Sequence, residues 1–265
     1  MHPGEVSANV ARIAGSFVAA RRAGIALGVY PGDMPAELPE AYAVQDAAIA
    51  LDARPIAGWK VGRINPPLGG TDRLAGPVFA DQVFEATAQP IAMPVFADGF
   101  AAAEGEFLLR IGTMPDPSKR DYTMEEARAL IDAVHVGIEI ASSPFQGIND
   151  HGPTVTISDY GNNNGLVVGP ELTGWRAIDI NAVPVEVLIN GVSVGAATSA
   201  AMLDGPFGAA RFLFEAMAAR GIALRAGQWI SSGAVTGVHR VVVSDRVEAR
   251  FGDMLNVECT ISAQA

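Results

Sequence analysis

The chain of 265 residues is 49% hydrophobic and carries a formal net charge of −11. This acidity argues against nucleic acid and anionic membranes as partners, and no apolar run reaches the ~18 residues of a membrane span. The single cysteine, Cys259, excludes an internal disulfide and a zinc–cysteine cluster. With no signal peptide recognisable at the N-terminus, these features predict a cytoplasmic protein.

The first part of the chain has the pattern of two helices. Apolar side chains recur at helical spacing from Val6 to Val18, and Gly24 ends this first helix. Residues 40–53 predict a second helix that stops before Pro55. We therefore expect a helical N-terminal region over residues 1–55.

From Ile56 onward the pattern becomes rich in strands. Thr123 and Glu126 form a capping box at the start of a helix predicted over 122–134, and a second helix is predicted over 205–221. Asn190 and Gly191 predict a type I′ turn between two strands. The remaining predicted segments are strands over 56–64, 101–112 and 135–141, a turn-rich stretch over 65–77, and a strand-rich tail. The sequence thus predicts an α+β protein whose residues 56–265 form one β-rich domain.

Glu104 and Glu106 lie in the apolar segment AAAEGEFLLRIG. In a strand, residues two apart point to the same face, so the two carboxylates project side by side. Their repulsion can be offset by a divalent cation that prefers hard oxygen ligands, such as Mg²⁺ or Mn²⁺. The alternative is a solvent-exposed strand face, where alternate acidic residues are common.

Two further charged residues favour the metal site. Glu139 lies in the apolar strand HVGIEIASS, where an unpaired carboxylate would cost several kcal/mol. Lys60 lies between Trp59 and Val61 in GWKVGRI and needs an anionic partner if its strand is buried. A solvated strand face remains the alternative for Lys60.

A series of segments along the chain resembles the 2-keto-4-pentenoate hydratase family. They occur in the order AYAVQDAAI, GWKVGR, AGPVFAD, AAEGEF, GIEIASS, NGLVVGP and LDGPFGAARFLFEAMAARGIALRAGQWISSGAVTG. The family includes 4-oxalocrotonate decarboxylase and belongs to the fumarylacetoacetate hydrolase superfamily. The resemblance extends over about residues 8–260, and it implies a mixed β-roll of the fumarylacetoacetate hydrolase type that assembles into homo-oligomers.

The resemblance also implies roles for individual residues. The family's metal ligands match Glu104, Glu106 and Glu139, and its cofactor is Mg²⁺ or Mn²⁺. Lys60 and Asp81 match catalytic positions near the site. By the same resemblance, Ser232 and Thr236 in SSGAVTG are expected to contact substrate, and GNNNG at 161–165 is expected near the site. His151 is a further candidate for substrate contact because it lies in the long loop after Glu139, and a histidine of a surface loop is the alternative.

The chemistry implied is that of a carbon–oxygen lyase acting on a small 2-oxo acid or dienoate. A 2-hydroxy-2,4-dienoate would tautomerise to an unsaturated ketone and take up water at C4, giving a 4-hydroxy-2-oxo acid in aromatic meta-cleavage catabolism. A 4-oxalocrotonate-type decarboxylase and an acylpyruvate C–C hydrolase are alternatives on the same scaffold. A catalytically inactive structural partner of such an enzyme is the non-enzymatic alternative, and association with a neighbouring pathway enzyme is a further expectation.

Several features depart from the family or compete with it. Arg63 and Ile64 follow the K-x-G segment where family members carry serine or threonine. The loop over 142–165 is expected to cover the pocket, and because it differs from the usual link it bears on which substrate is bound. The segment GVSVG matches an esterase pattern, but Ser193 follows a hairpin turn instead of joining a strand to a helix. Lys60 itself can serve as an acid/base or as an electrostatic partner of the substrate.

Overall fold

The computed structural model describes residues 3–253 and 255–264 and confirms the α+β class. The helices are α1 (Pro3–Ala23), α2 (Leu38–Asp52), α3 (Met124–Ala129), α4 (Pro153–Ser158) and α5 (Gly205–Arg220). The strands are β1 (Ile56–Leu68), β2 (Thr71–Phe79), β3 (Val83–Glu85), β4 (Ile91–Val95), β5 (Phe100–Ile111), β6 (Ile131–Ser143), β7 (Asn163–Glu171), β8 (Pro184–Ile189), β9 (Val192–Thr198), β10 (Trp229–Ser231), β11 (His239–Arg240), β12 (Arg246–Phe251) and β13 (Leu255–Ala263).

The strands form two mixed sheets. The larger sheet has the order β2-β1-β10-β5-β6-β7-β3, with β11 paired to β5, and the smaller has the order β4-β13-β12-β8-β9. Strands β5 and β6 are antiparallel and pair over nearly their whole length, from Phe100 opposite Ser143 to Ile111 opposite Ile131. This long pair forms the centre of the larger sheet, and the neighbouring strands β10, β11 and β7 pair with it.

One face of β5 packs against the smaller sheet. The rings of Phe107 and Phe251 meet edge to face with centroids 5.2 Å apart. A side chain at Gly105 would begin 2.8 Å from a methyl group of Val187, so this position needs glycine for the two sheets to approach. Since side chains alternate along a strand, Glu104 and Glu106 are directed to the opposite face of β5.

The N-terminal helices share a core with the larger sheet. Phe17 of α1 belongs to the same buried cluster as Phe79 and Phe100 of the sheet. Arg21 lies off the predicted apolar stripe of α1, yet it is buried because its guanidinium pairs with the buried carboxylate of Asp159. Val6, the first position of that stripe, lies outside the residues whose side chains the structure describes.

Most local predictions are confirmed, and two are wrong in part. The capping box of Thr123 and Glu126 is present, but α3 ends at Ala129 and residues 131–134 begin β6, because pairing with β5 outweighs the local helical pattern. The stretch over 65–77 is a hairpin of β1 and β2 that turns at Gly69 and Gly70, both with positive φ. The turn at Asn190 and Gly191 has the predicted left-handed geometry, with φ values of 52° and 80°.

Candidate metal centre

Three carboxylates meet on one face of the larger sheet. Glu104 of β5 lies directly opposite Glu139 of β6, and opposite residues in an antiparallel pair share a face. Glu106 lies two residues further along β5 and therefore joins them. One carboxylate oxygen from each of the three lies within 4.8 Å of the other two. Glu106 and Glu139 are 0% exposed and Glu104 is 6% exposed, so the exposed strand face considered from the sequence is excluded.

Strand β10 brings Lys60 to the same face. β10 lies between β1 and β5, where Ser231 is opposite Lys60 on one side and Leu108 on the other. The lysine Nζ lies 3.4 Å from Glu139 Oε1, and the side chain is almost fully buried. Lys60 therefore has the anionic partner that its sequence context requires.

Hydrogen bonds hold two of the carboxylates in place. Ser231 Oγ and the backbone N–H of Gly233 both donate to Glu106 Oε2, the latter at 3.0 Å. Asn163 Nδ2 donates to Glu139 Oε1 at 2.7 Å. These three donors fix the rotamers of the glutamates before any ligand binds, as the supporting groups around metal sites commonly do.

Burial and the charges of the cluster shift the pKa values of Glu104, Glu106 and Lys60. Burial raises the pKa of Glu104 to about 7, with the charge of Lys60 opposing the rise. Burial and the neighbouring carboxylates hold the pKa of Glu106 well above its usual range. Burial alone would lower the pKa of Lys60, but the charges of Glu139, Glu104 and Glu106 outweigh burial and raise it. The lysine is therefore cationic at neutral pH, while the carboxylates are under-compensated.

The donor set fits a hard divalent cation. Three carboxylates facing one ammonium leave two uncompensated negative charges when all four groups are ionised. Glu106 Oε1 is buried and finds no hydrogen-bond partner among the residues that the structure describes, which is costly for a carboxylate unless another group binds it. Oxygen-only ligands of this kind suit Mg²⁺ or Mn²⁺ better than a softer metal.

The cluster lies at the wall of a cavity of about 730 Å³. Lys60, Glu104 and Ser232 line it, and the buried Ser232 Oγ has no hydrogen-bond partner within the described part of the chain. Residues from the loop after β6, among them Asn149 and Asn162, form another wall, so this loop contributes to the pocket as expected from the sequence. Such a cavity is large enough for a small organic acid.

The loop lies tightly against the strand pair that carries Lys60. Tyr160, Gly161 and Asn162 all have positive φ, which is unusual for tyrosine and asparagine. Gly76 lies opposite Lys60 in β2, and a side chain there would begin 2.0 Å from the carbonyl oxygen of Tyr160. This close approach covers the stem of Lys60, since the Cβ that an alanine would add at Gly161 lies 3.0 Å from Lys60 Cδ.

The predicted site residues divide into two groups. The structure brings together Lys60, Glu104, Glu106, Glu139 and Ser232. It does not bring Asp81, Thr236 or His151 into the cavity lining.

Each of the three remaining residues has another partner. Asp81 follows β2 on the surface, where its side chain is 60% exposed and pairs with Arg54 at 3.2 Å, so the prediction that it lies at the site needs correction. Thr236 Oγ1 is hydrogen-bonded to His239 Nε2 at 2.9 Å. His151 is exposed and stacks on Phe145. Local contacts on the surface thus account for all three side chains.

Sequence reasoning missed the residues that support the carboxylates, Ser231 and Asn163. Each stands beside identical residues, in SSG and GNNNG, and only the pairing of strands shows which serine or asparagine faces the glutamates. Strand alternation within SSG separates the roles of the two serines, but it does not say which of them faces the metal ligands.

Two packed mixed sheets with a buried cluster of three carboxylates define a protein with a candidate site for a divalent metal ion, and sequence comparison identifies its family. Residues 74–264 match the family described as Fumarylacetoacetate (FAA) hydrolase C-terminal. The chain belongs to this fumarylacetoacetate hydrolase family. The resemblance found in the sequence is thereby confirmed at the level of the superfamily.

Solved structures show the same fold. A 4-oxalocrotonate decarboxylase from Pseudomonas putida G7, complexed with calcium and acetate, superposes with a TM-score of 0.81 at 18% identity, covering 96% of this chain and 98% of that one. The same enzyme complexed with magnesium and adipate gives 0.80 at 19% identity, covering 95% and 97%. A fumarylpyruvate hydrolase from Pseudomonas aeruginosa, in complex with Mn²⁺ and pyruvate, gives 0.57 at 13% identity, covering 77% and 88%.

Among the described residues, no helix is both long and apolar enough to cross a membrane.

Proposed function

We propose that this protein is a metal-dependent lyase that hydrates a 2-hydroxy-2,4-dienoate to a 4-hydroxy-2-oxo acid. The observation that carries the proposal is the buried cluster of Glu104, Glu106 and Glu139 facing Lys60 at the wall of one cavity. Glu104, Glu106 and Glu139 would hold Mg²⁺ or Mn²⁺. A bound divalent cation would supply Lewis-acid stabilisation of negative charge on the 2-oxo oxygen.

The side chains around the cavity suit the remaining tasks of such a reaction. Lys60 carries a proton at Nζ and can neutralise the substrate's anionic head, because its raised pKa keeps it cationic. The free Ser232 Oγ can donate a hydrogen bond to a substrate carboxylate. Ser231, Gly233 and Asn163 each donate a hydrogen bond to one of the glutamates, so they orient the proposed metal ligands.

Hydration requires two proton deliveries and one hydroxyl addition. A proton reaches C5 as the 2-hydroxy group loses its own, and water then adds hydroxyl at C4 and hydrogen at C3. The cavity separates these events from bulk solvent on the side of Lys60, where the segment 160–162 covers the lysine stem. Because the amine is protonated, Lys60 fits the role of proton donor or electrostatic partner better than that of a base.

Decarboxylation is the second candidate. It is supported by the coverage of the comparison: the 4-oxalocrotonate decarboxylase matches 96% of this chain, including the N-terminal helices, whereas the fumarylpyruvate hydrolase matches 77%. In decarboxylation the electrons left by departing CO₂ would enter the same 2-oxo acid system. We also infer that the protein is a homo-oligomer, as the family resemblance implies.

The test is a set of absorbance assays on three substrates. The purified protein would receive 2-hydroxypenta-2,4-dienoate, 4-oxalocrotonate or an acylpyruvate, each with Mg²⁺, with Mn²⁺ or with EDTA. We expect metal-dependent loss of the dienoate absorbance without CO₂ release. CO₂ release from 4-oxalocrotonate alone would establish the decarboxylase instead. Inactivity on all three substrates, together with no binding of Mn²⁺ in calorimetry, would support the structural-partner alternative.

A further inference from the structure

Asn162 presents a buried amide oxygen at the wall of the cavity. The residue is 3% exposed, and its Oδ1 meets no hydrogen-bond donor among residues 3–253 and 255–264. It lines the same cavity as Lys60 and Glu104. A buried acceptor without a donor costs free energy, so an oxygen of this kind at a cavity wall indicates a ligand that supplies the donor.

The two neighbours of Asn162 in the chain fix its position relative to the carboxylate cluster. Gly161 lies against the stem of Lys60, since a Cβ added there would be 3.0 Å from Lys60 Cδ. Asn163 Nδ2 donates to Glu139 Oε1 at 2.7 Å. Because one neighbour contacts the lysine and the other contacts the glutamate, Asn162 lies at the end of the cavity where the head of the substrate is proposed to bind.

Buried contacts outside the cavity hold the backbone of Asn162. Its N–H donates to the carbonyl oxygen of Asp159 at 2.8 Å. The carboxylate of Asp159 pairs with Arg21 of α1 at 2.5 Å and accepts from Ser143 Oγ at 2.6 Å. These contacts support Asn162 at a φ of 69°, in the left-handed region. The fold therefore places the amide before any ligand binds, which lowers the cost of binding.

The amide oxygen of Asn162 complements the other polar groups of the wall. Lys60 and the arginines of the cavity wall can only donate hydrogen bonds; these arginines are Arg63, Arg73 and Arg240. The three glutamates accept, but they are the proposed ligands of the cation. Asn162 Oδ1 is thus an acceptor suited to an O–H group of a bound molecule. A 2-hydroxy acid or an enol carries such a group at C2, whereas a 2-oxo acid does not.

We propose that Asn162 Oδ1 accepts a hydrogen bond from the 2-hydroxy group of the bound substrate, so that the site favours the 2-hydroxy form over the 2-oxo form. The inference rests on the proposed function for the position of the substrate's head. A neutral amide orients the O–H group without taking its proton. Asn162 is therefore a substrate-binding residue that selects the form of the substrate that enters the reaction.

The experiment compares two ligands that differ at C2, 2-oxopentanoate and the tighter-binding enantiomer of 2-hydroxypentanoate. Their dissociation constants are measured by calorimetry on the Mn²⁺-loaded wild-type protein and three variants. Asn162→Gly should weaken binding of the 2-hydroxy acid about fivefold, as the loss of one neutral hydrogen bond does, and should change binding of the 2-oxo acid by less than about twofold. Glycine adopts the observed φ without strain, so this variant should fold.

Two further variants test the chemical basis of the effect. Asn162→Asp keeps an acceptor oxygen and tolerates a positive φ, and its charge repels both anionic ligands alike, so the preference for the 2-hydroxy acid should not fall. Asn181→Ala is the matched control, because Asn181 Oδ1 is likewise buried and without a partner in the described part of the chain, yet Asn181 does not line the cavity. It should leave both dissociation constants within about twofold of the wild-type values.

The outcomes separate this inference from the proposed function. Equal weakening of both ligands in Asn162→Gly, or no weakening of either, would overturn the role of Asn162 and leave the 2-oxo acid site intact. A fall in preference in Asn162→Asp would show that the amide acts as a donor, and an equal fall in Asn181→Ala would show a general effect on the fold; either result overturns the inference. Failure of both ligands to bind the Mn²⁺-loaded wild-type protein would overturn it together with the proposed function.

Discussion

The substitution Glu106→Gln should change the stability of the protein in opposite directions without and with metal. Gln has nearly the shape of Glu, and its side-chain oxygen can still accept from Ser231 and Gly233. Its amide group replaces the unpartnered Oε1 and can donate to a neighbouring carboxylate. The metal-free fold should therefore tolerate the change.

The magnitude follows from the spacing of the charges. Two like charges 4.8 Å apart, the outer limit for these carboxylate oxygens, repel by about 3 kcal/mol at an effective dielectric constant of about 20. Glu106 faces two such neighbours and one attracting lysine, so removal of its charge should stabilise the metal-free protein by up to about 3 kcal/mol at pH 8. Because the pKa of Glu106 is raised, the gain shrinks to the extent that wild-type Glu106 is already protonated. The metal-bound protein should lose most of its stabilisation, because one of three charged ligands is gone.

Urea unfolding at pH 8 with and without Mn²⁺ measures both effects. At a free Mn²⁺ concentration 100 times the dissociation constant, the wild-type protein should gain about 2.7 kcal/mol. Glu171→Gln serves as a control, since this exposed glutamate of β7 lies outside the cluster. Metal stabilisation of Glu106→Gln equal to that of the wild-type protein would refute the assignment of Glu106 as a ligand.

The remaining predictions concern pH and the surroundings of the cluster. The pKa of Glu104 is raised from 4.5 to about 7, so the folded state binds this proton more tightly than the unfolded state, and the metal-free protein should lose up to about 3 kcal/mol of stability between pH 5 and pH 8. Saturating Mn²⁺ should flatten this pH profile of stability in urea titrations. An equally steep profile with metal would contradict the site. Ser231→Ala should weaken Mn²⁺ binding about tenfold in calorimetry by freeing Glu106, whereas wild-type affinity would show that the serine is dispensable. Asp81→Asn removes only a surface pair with Arg54, so kcat/KM should stay within about twofold, and a hundredfold loss would return Asp81 to the site.

Local pattern was sufficient for the parts of the protein whose geometry depends on neighbouring residues. The alternation of a strand places Glu104 and Glu106 on one face whatever the strand pairs with. The capping box at Thr123 and the turn at Asn190 likewise depend on side chains and dihedral angles a few residues apart. These features were predicted correctly because the interactions that decide them are short-range in sequence.

The family resemblance added functional roles for single residues, which the periodicity of a sequence does not give. The apolar contexts of Glu139 and Lys60 had already marked both residues, and the resemblance assigned Glu139 as a third metal ligand and Lys60 as a catalytic residue. The structure places both with the two glutamates in one buried cluster. The family resemblance also predicted Asp81 near the site. In the structure Asp81 follows β2 on the surface, and its carboxylate pairs with Arg54. A sequence match transfers the type of residue, but the direction of a side chain at a strand end depends on the local turn.

Only the tertiary structure decided how the strands are aligned. The register of β5 against β6 sets Glu139 opposite Glu104, and a slip by one residue would turn one carboxylate to the opposite face of the sheet. The insertion of β10 between β1 and β5 brings Lys60 and Ser231 to the same face, although residues 60 and 231 are far apart in the chain. The sequence by itself therefore determined which side chains can bind a cation, and strand pairing, whose energy comes from contacts distant in sequence, decided that they meet.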